Sequence, residues 1–292
     1  REIDVFGLTH PGKVRETNED HFLVCQLRKR IDVHSTSLPV GELEAAGSER
    51  LAFLAMVADG VGGRPGGESA SRRTIQAITR YVSESIDAYY TADSTDHEAF
   101  TGALHAAVLR VHEELISAGE QEGDVEGMAT TLTLYIGVWP YIYLVHVGDS
   151  RHYVLRDGTL HQGTRDQTIG QALVDEGVLT DSQAVRLRVG PLLASTIGGS
   201  ESAPTVTRLD SGWGHVHMLC SDGLTKHVSD ERIQERLASM TSAQRVCEDL
   251  LQDALDAGGT DNVTIIVGRA VPAPPDGATE ESGGATEEPG GS

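Results

Sequence analysis

Five aspartates stand where apolar runs begin or end. Asp59, Asp149 and Asp222 close the runs AMVAD, LVHVGD and HMLCSD, whereas Asp20 and Asp261 open NEDHFLVC and TDNVTIIV. In antiparallel neighbours the end of one strand lies beside the start of the next, so the five carboxylates can gather at one rim of a sheet. Singly, an aspartate followed by glycine, as in Asp59-Gly60 and Asp222-Gly223, is ordinary turn chemistry. As a set, carboxylates a few Å apart raise one another's pKa unless cations neutralise them. Oxygen donors without a His or Cys partner favour hard ions, magnesium or manganese, over zinc.

After Asp59 the chain reads GVGGRPGGESAS, a stretch rich enough in glycine to suggest a phosphate cradle. A Walker loop needs GxxxxGK, and here Gly62 and Gly67 are followed by Glu68. The dinucleotide pattern GxGxxG fails as well, because counting from Gly60 its last glycine falls on Pro65. What remains is a strand ending in Asp59, glycines that let the backbone approach something closely, and a helix beginning near Glu68. The bare Gly60 peptide leaves its carbonyl free to ligate a cation beside the carboxylate. His215 and His217 alternate with apolar residues in HVHMLC, as the wet face of a strand would. No GxSxG elbow or HExxH pair occurs, so a serine or zinc hydrolase has no support.

The elements that must position these groups follow from periodicity. Strand-like runs are REIDVFGLTH, DHFLVCQL, LAFLAMVAD, MATTLTLYIGV, YIYLVHVGD, RHYVLRDG, HVHMLCSD and NVTIIVGRA. Ile75, Ile78, Val82 and Ile86 recur at helical spacing, as do Phe100, Leu104, Ala107, Val111 and Leu115. Thr95 and Glu98 form a capping box ahead of the second of these helices. Further helices are expected over Asp230–Ser239 and Ala243–Ala257, with a short one at Ile169–Glu176 in the irregular stretch Gln167–Gly199. Arg28–Arg50 reads as a loop or hairpin insertion. From Val271 to Ser292 the chain holds Pro, Gly, Ala and Glu with almost nothing to bury, and is expected to be a disordered acidic tail. The order of strands, two helices, strands, two helices and a strand is an α+β pattern, in which sheets packed face to face carry helices outside.

Composition narrows the partners. The 292 residues carry 23 Lys and Arg against 44 Asp and Glu, a formal charge of −21 with no basic cluster, which argues against nucleic acid or an anionic membrane. Cys25, Cys220 and Cys247 are an odd number, widely spaced and without a CxxC pair, so neither a disulfide framework nor a zinc cluster is suggested, which fits a reducing, cytoplasmic setting. No apolar run approaches the roughly 20 residues needed to span a bilayer.

Six stretches in order resemble the metal-dependent type 2C (PPM-type) Ser/Thr protein phosphatases in their bacterial form. They are GKVRETNED (Gly12–Asp20), VADGVGGRPGGESAS (Val57–Ser71), GMATTLTL (Gly127–Leu134), VGDSR (Val147–Arg151), LCSDGL (Leu219–Leu224) and GGTDNVTIIV (Gly258–Val267). The resemblance implies a catalytic domain over residues 1–270, built as a central antiparallel β-sandwich flanked by helix pairs, with a small flap subdomain near 163–200. It implies two Mn2+ or Mg2+ ions, with Asp59 bridging both, Asp222 and Asp261 on the first and the Gly60 carbonyl on the second. Glu19 and Asp20 would hold metal-bound waters or the second ion, Asp149 with Asp222 a third, weaker ion, and Arg15 the substrate phosphate. A metal-bridging hydroxide, available near neutral pH, would attack phosphorus in line. Expected partners are phosphorylated proteins, including Ser/Thr kinases and their substrates, met by a monomer.

Three places depart from the family. Val61 stands where some relatives carry a candidate general-acid His, so the leaving group would take its proton from water or another residue. Gln167 in TRDQT replaces the His of a DHS-like motif, and STIGG (Ser195–Gly199) replaces an Arg-Ala-Leu-Gly-like run. These departures leave room for a second reading, a catalytically silent module that binds phosphoproteins. A calcium-stabilised acidic binding domain is a third, which leaves Arg15 and the six ordered motifs unexplained.

Overall fold

The computed structural model describes residues 2–28, 50–61, 65–91, 97–122, 127–138, 140–184, 186–187, 189–209, 212 and 214–271. The interior of the expected insertion, the Thr95 half of the capping box and the tail beyond Val271 lie outside the described residues.

Among the described residues, two five-stranded antiparallel sheets face each other. One runs in the order β1 (Glu2–His10), β12 (Val263–Val271), β11 (Val216–Cys220), β8 (Arg151–Arg156), β9 (Thr159–Gln162). The other runs β10 (Thr205–Leu209), β7 (Tyr141–Val147), β6 (Leu132–Val138), β3 (Arg50–Ala58), β2 (His21–Arg28), and a small pair joins β4 (Gly60–Val61) to β5 (Ala129–Thr130). Helices α1 (Pro65–Thr91) and α2 (His97–Glu122) cover the second sheet. Helices α5 (Asp222–Thr225), α6 (Asp230–Ala238) and α7 (Ala243–Asp256) cover the first, while α3 (Ile169–Asp175) and α4 (Asp181–Ala184) lie between β9 and β10.

Strand parity explains the four layers. Successive side chains on a strand point to opposite faces, and a strand buried on both faces reads as a continuous apolar run rather than an alternating one. In β3, Leu54 and Met56 join the stripe Ile75, Ile78, Val82 and Ile86 of α1, whereas Ala55 and Val57 face the other sheet. In β12, Val263, Ile265 and Val267 pack under α7 against Val246 and Leu250, and Ile266 faces inward. The inter-sheet layer is closed by Ala55, Val57, Leu219 and Ile266 with Val5, Phe22, Val24, Phe53 and Tyr135. A side chain at Gly7 would collide with the Phe22 ring 2.7 Å away, so glycine there permits the close approach of β1 to β2.

Three expectations are corrected by the structure. His217 is not on a wet face: it shares the inward face of β11 with Leu219 and stands against Tyr135 with ring centroids 5.1 Å apart, because both faces of this sheet are covered. Helix α1 begins at Pro65 rather than near Glu68, since proline's fixed φ suits the first helical position, where no N–H is needed. Val271 belongs to β12, paired with Glu2, because backbone pairing with β1 continues where apolar content has run out.

Candidate metal centre

Register places the aspartates. His21 pairs with Ala58, Leu132 with Val147, Cys220 with both Arg151 and Ile265, and His10 with Val263. Asp20, Asp59, Asp149, Asp222 and Asp261 lie just beyond these pairs, so they share one rim of the two sheets. Asp59 there feels the charges of Asp20, Asp222, Asp149 and Asp261.

Hydroxyl and amide groups hold the backbone of this rim. Asp59 donates its N–H to Thr131 Oγ1 at 3.0 Å, and its carbonyl accepts from Thr130 Oγ1 at 2.8 Å and from Thr131 N–H at 2.9 Å. Asp20 is 3% exposed; its Oδ2 accepts from Ser221 Oγ at 2.7 Å and from Thr264 Oγ1 at 2.6 Å. Glu19 N–H donates to Asn262 Oδ1 at 2.8 Å, while Asn262 Nδ2 donates to the carbonyls of Pro11 and Thr17. Asn262 thus pins the loop carrying Arg15, Glu19 and Asp20 to the start of β12. Ser71 of α1 donates to the Glu19 carbonyl at 2.6 Å. A side chain at Gly60 would meet the Gly67 carbonyl carbon and oxygen at 2.5 Å, so its lack of one lets β4 lie against the start of α1.

The electrostatics are those of anions held together. Burial, then the four neighbouring aspartates, push the Asp59 carboxyl well above the usual carboxylate range. Burial above all raises Asp20 to about 6, against hydrogen bonds from Thr264 and Ser221 that favour its charged form. Asp149 rises to about 7, again chiefly by burial, with Asp222 adding to it. Asp261 goes the other way: burial pulls upward, but Lys226 and Arg15 together hold it below its ordinary value. Lys226 Nζ stands 2.6 Å from Asp222 Oδ2 and 2.7 Å from Asp261 Oδ2, and Arg15 Nε stands 2.8 Å from Asp261 Oδ1.

The donor set fits hard divalent cations. All the converging side-chain donors are carboxylate oxygens, and Asp20 Oδ1 is buried with no hydrogen-bond partner, an expensive arrangement without a cation to face. Among the described residues no three His, Cys, Asp or Glu side chains are already drawn into a closed ligand shell, and Lys226 and Arg15 are paired with Asp222 and Asp261.

The protein phosphatase 2C profile matches residues 43–257, well over half of the chain. The chain belongs to the protein phosphatase 2C family. It is 39% identical over 220 residues to the serine/threonine protein phosphatase PstP of Mycobacterium tuberculosis, a match that covers 75% of this chain and 41% of that protein. The chain therefore spans about two-fifths of the length of that relative. The crystal structure of PstP from the same organism superposes with a TM-score of 0.71 at 32% identity, covering 91% of this chain and 98% of that one. A PstP catalytic domain solved in complex with two manganese ions gives a TM-score of 0.67 at 31% identity, covering 91% and 97%. Family membership accounts for the α+β architecture of two antiparallel sheets between helices.

Several residues of this rim do not announce themselves in the sequence. Thr130 and Thr131 stand within GMATTLTL, and Asn262 follows Asp261 in GGTDNVTIIV, so position in a motif was a usable signal for them. Lys226 carried none: it is one lysine after LCSDGL, and only the fold shows that it bridges two carboxylates. Gln167 has a definite task, accepting from Gly148 N–H at 3.0 Å and donating to the Ala203 carbonyl at 2.9 Å.

Proposed function

We propose that this chain is a metal-dependent phosphatase domain that hydrolyses phosphoserine and phosphothreonine in proteins. The convergence of Asp20, Asp59, Asp149, Asp222 and Asp261 on one rim, in a member of this family, carries the reading. Asp59 would bridge two Mn2+ or Mg2+ ions, with Asp222 and Asp261 on the first. The Gly60 carbonyl, Glu19 and Asp20 would serve the second, and Asp149 with Asp222 a weaker third. When bound, the metals supply Lewis-acid activation of water for in-line attack on phosphorus and neutralise charge there.

The chain's own groups do the rest. Arg15 is half exposed and lies near the charges of Asp261, Glu19 and Asp59, so its guanidinium can turn from Asp261 to phosphoryl oxygens with little cost. Ser221 and Thr264 keep Asp20 Oδ2 occupied and leave Oδ1 as its ligating atom. The Thr130 and Thr131 contacts fix the Asp59 backbone before any ion arrives, so binding does not have to order it. Phosphorylated proteins, Ser/Thr kinases among them, would be the partners of a cytoplasmic monomer; no helix among the described residues is long and apolar enough to cross a membrane.

The test is release of phosphate from a phosphothreonine peptide by purified protein with manganese, beside Asp59→Asn and Asp222→Asn. Both variants should keep the wild-type circular dichroism and lose at least about a hundredfold in turnover. Undiminished turnover in Asp59→Asn would remove the bridging role. Tight peptide binding by wild-type protein without phosphate release would establish the silent module instead.

A further inference from the structure

Lys226 follows the single turn of α5 and lies one helical turn beyond Asp222, on the same face. Its N–H donates to the Asp222 carbonyl at 2.8 Å, and buried Leu224 and Val228 fix the backbone on either side. The ammonium bridges Asp222 Oδ2 and Asp261 Oδ2. The other oxygen of Asp261 accepts from Arg15 Nε at 2.8 Å and from Asn262 N–H at 3.0 Å. Both Asp261 oxygens and one of Asp222 are thus engaged by groups of this chain. The two carboxylates assigned to the first metal are the two that Lys226 holds.

We propose that Lys226 is a built-in competitor for the first metal. Its ammonium neutralises the Asp222 and Asp261 pair in the metal-free protein and must leave before a divalent ion can take both oxygens. The proposal rests on the metal reading above and adds a residue that sets how much metal the site needs. A lysine suits the task because it is a compact charge on a flexible stem. The side chain is 42% exposed, so it can swing into water without moving the backbone. Arg15 pairs with Asp261, so its removal frees one carboxylate of the pair, whereas Lys226 engages both.

The experiment is calorimetric titration of Mn2+ into metal-free wild type, Lys226→Met and Lys226→Arg, with thermal melts of each in chelator. Two partly exposed pairs of ordinary strength convert to about tenfold in Kd, so Lys226→Met should bind its first Mn2+ about tenfold more tightly. Its metal-free melting temperature should fall by about 2–4 °C, because two like charges lose their counter-ion. Lys226→Arg should stay near wild type in both. A lysine that merely packed would lower stability without tightening metal. Unchanged or weaker Mn2+ binding by folded Lys226→Met overturns the proposal and leaves the metal reading standing. Absence of Mn2+ binding in every protein overturns both. If Lys226→Met fails to fold, Lys226→Gln is read in its place by the same two outcomes.

Discussion

A methyl group at Gly60 would sit 2.5 Å from the carbonyl carbon and oxygen of Gly67 and 2.9 Å from the Glu19 carbonyl oxygen. All three atoms are backbone, so none can rotate away, and the strain must move β4 off the start of α1. That movement would carry the Gly60 carbonyl and Asp59 with it. Gly60→Ala should therefore cost about 1–3 kcal/mol of stability and weaken Mn2+ binding, with helix and sheet content unchanged. Gly102, exposed within α2, gives the contrast, since a methyl group there would have nothing within 4 Å. Gly102→Ala should raise stability by about 0.4–1 kcal/mol through helix propensity alone. Melting curves of the two variants check both, and a Gly60→Ala protein as stable as wild type would show that the approach is not tight. At this scale the sequence disclosed residue types well. Aspartate at a strand end and glycine beside it are visible as letters, whereas a lysine reaching two carboxylates is visible only once the chain is folded.

Elements were legible in proportion to what they bury. β3, β6, β7, β11 and β12 are largely buried on both faces and mostly apolar, so they stand out as runs, as do the stripes of α1 and α2. β9 and β10 escaped because their side chains are mostly exposed, and only backbone pairing to β8 and β7 makes them strands. Within the stretch between them, Gln167 ties the chain to Gly148, Ala194 and Ala203. Its backbone N–H donates to the Gly148 carbonyl at 2.8 Å and its carbonyl accepts from Ala194 N–H at 2.8 Å, in addition to the two side-chain bonds. Gln167→Ala keeps the backbone pair and removes the side-chain pair. Two partly exposed hydrogen bonds are worth on the order of 1–2 kcal/mol, or about five- to thirtyfold in local opening. Amide exchange should speed up by that factor at Gly148 and around Ala194–Ala203, and stay unchanged in α7. Equal acceleration throughout the protein would mean that Gln167 contributes only to global stability.

Across the whole molecule the inter-sheet layer changes character from one region to another. Phe22, Phe53, Val57 and Ile266 fill part of it, whereas His146, His152, His217, Thr133 and Tyr135 fill another. His152 Nε2 and His217 Nδ1 lie 3.1 Å apart, His146 Nδ1 lies 3.0 Å from Thr133 Oγ1, and buried His152 Nδ1 has no hydrogen-bond partner. Burial, then the charge of His215, holds His217 down to about 4; burial likewise holds His146 to about 4, and burial with the neighbouring His217 and His146 pushes His152 well below the ordinary histidine range. An unfolded histidine titrates near about 6.5, so between about 6.5 and 4 the unfolded chain binds protons that the folded one refuses. The contribution of these histidines to stability is therefore whole above about 6.5 and is lost on acidification towards 4. For His217 alone the shift amounts to about 3 kcal/mol at the acid end. Asp20 and Asp149, raised by burial, act with the opposite sign over part of this range, so a single wild-type curve would mix the two effects. Comparing His217→Gln with wild type in chelator separates them, because the carboxylates are common to both. The variant should melt lower at pH 8, where it has lost the packing on Tyr135, and the gap should close or reverse by pH 4.5. Parallel curves would mean that His217 protonates as freely in the folded protein as in the unfolded chain, and that water reaches between the sheets.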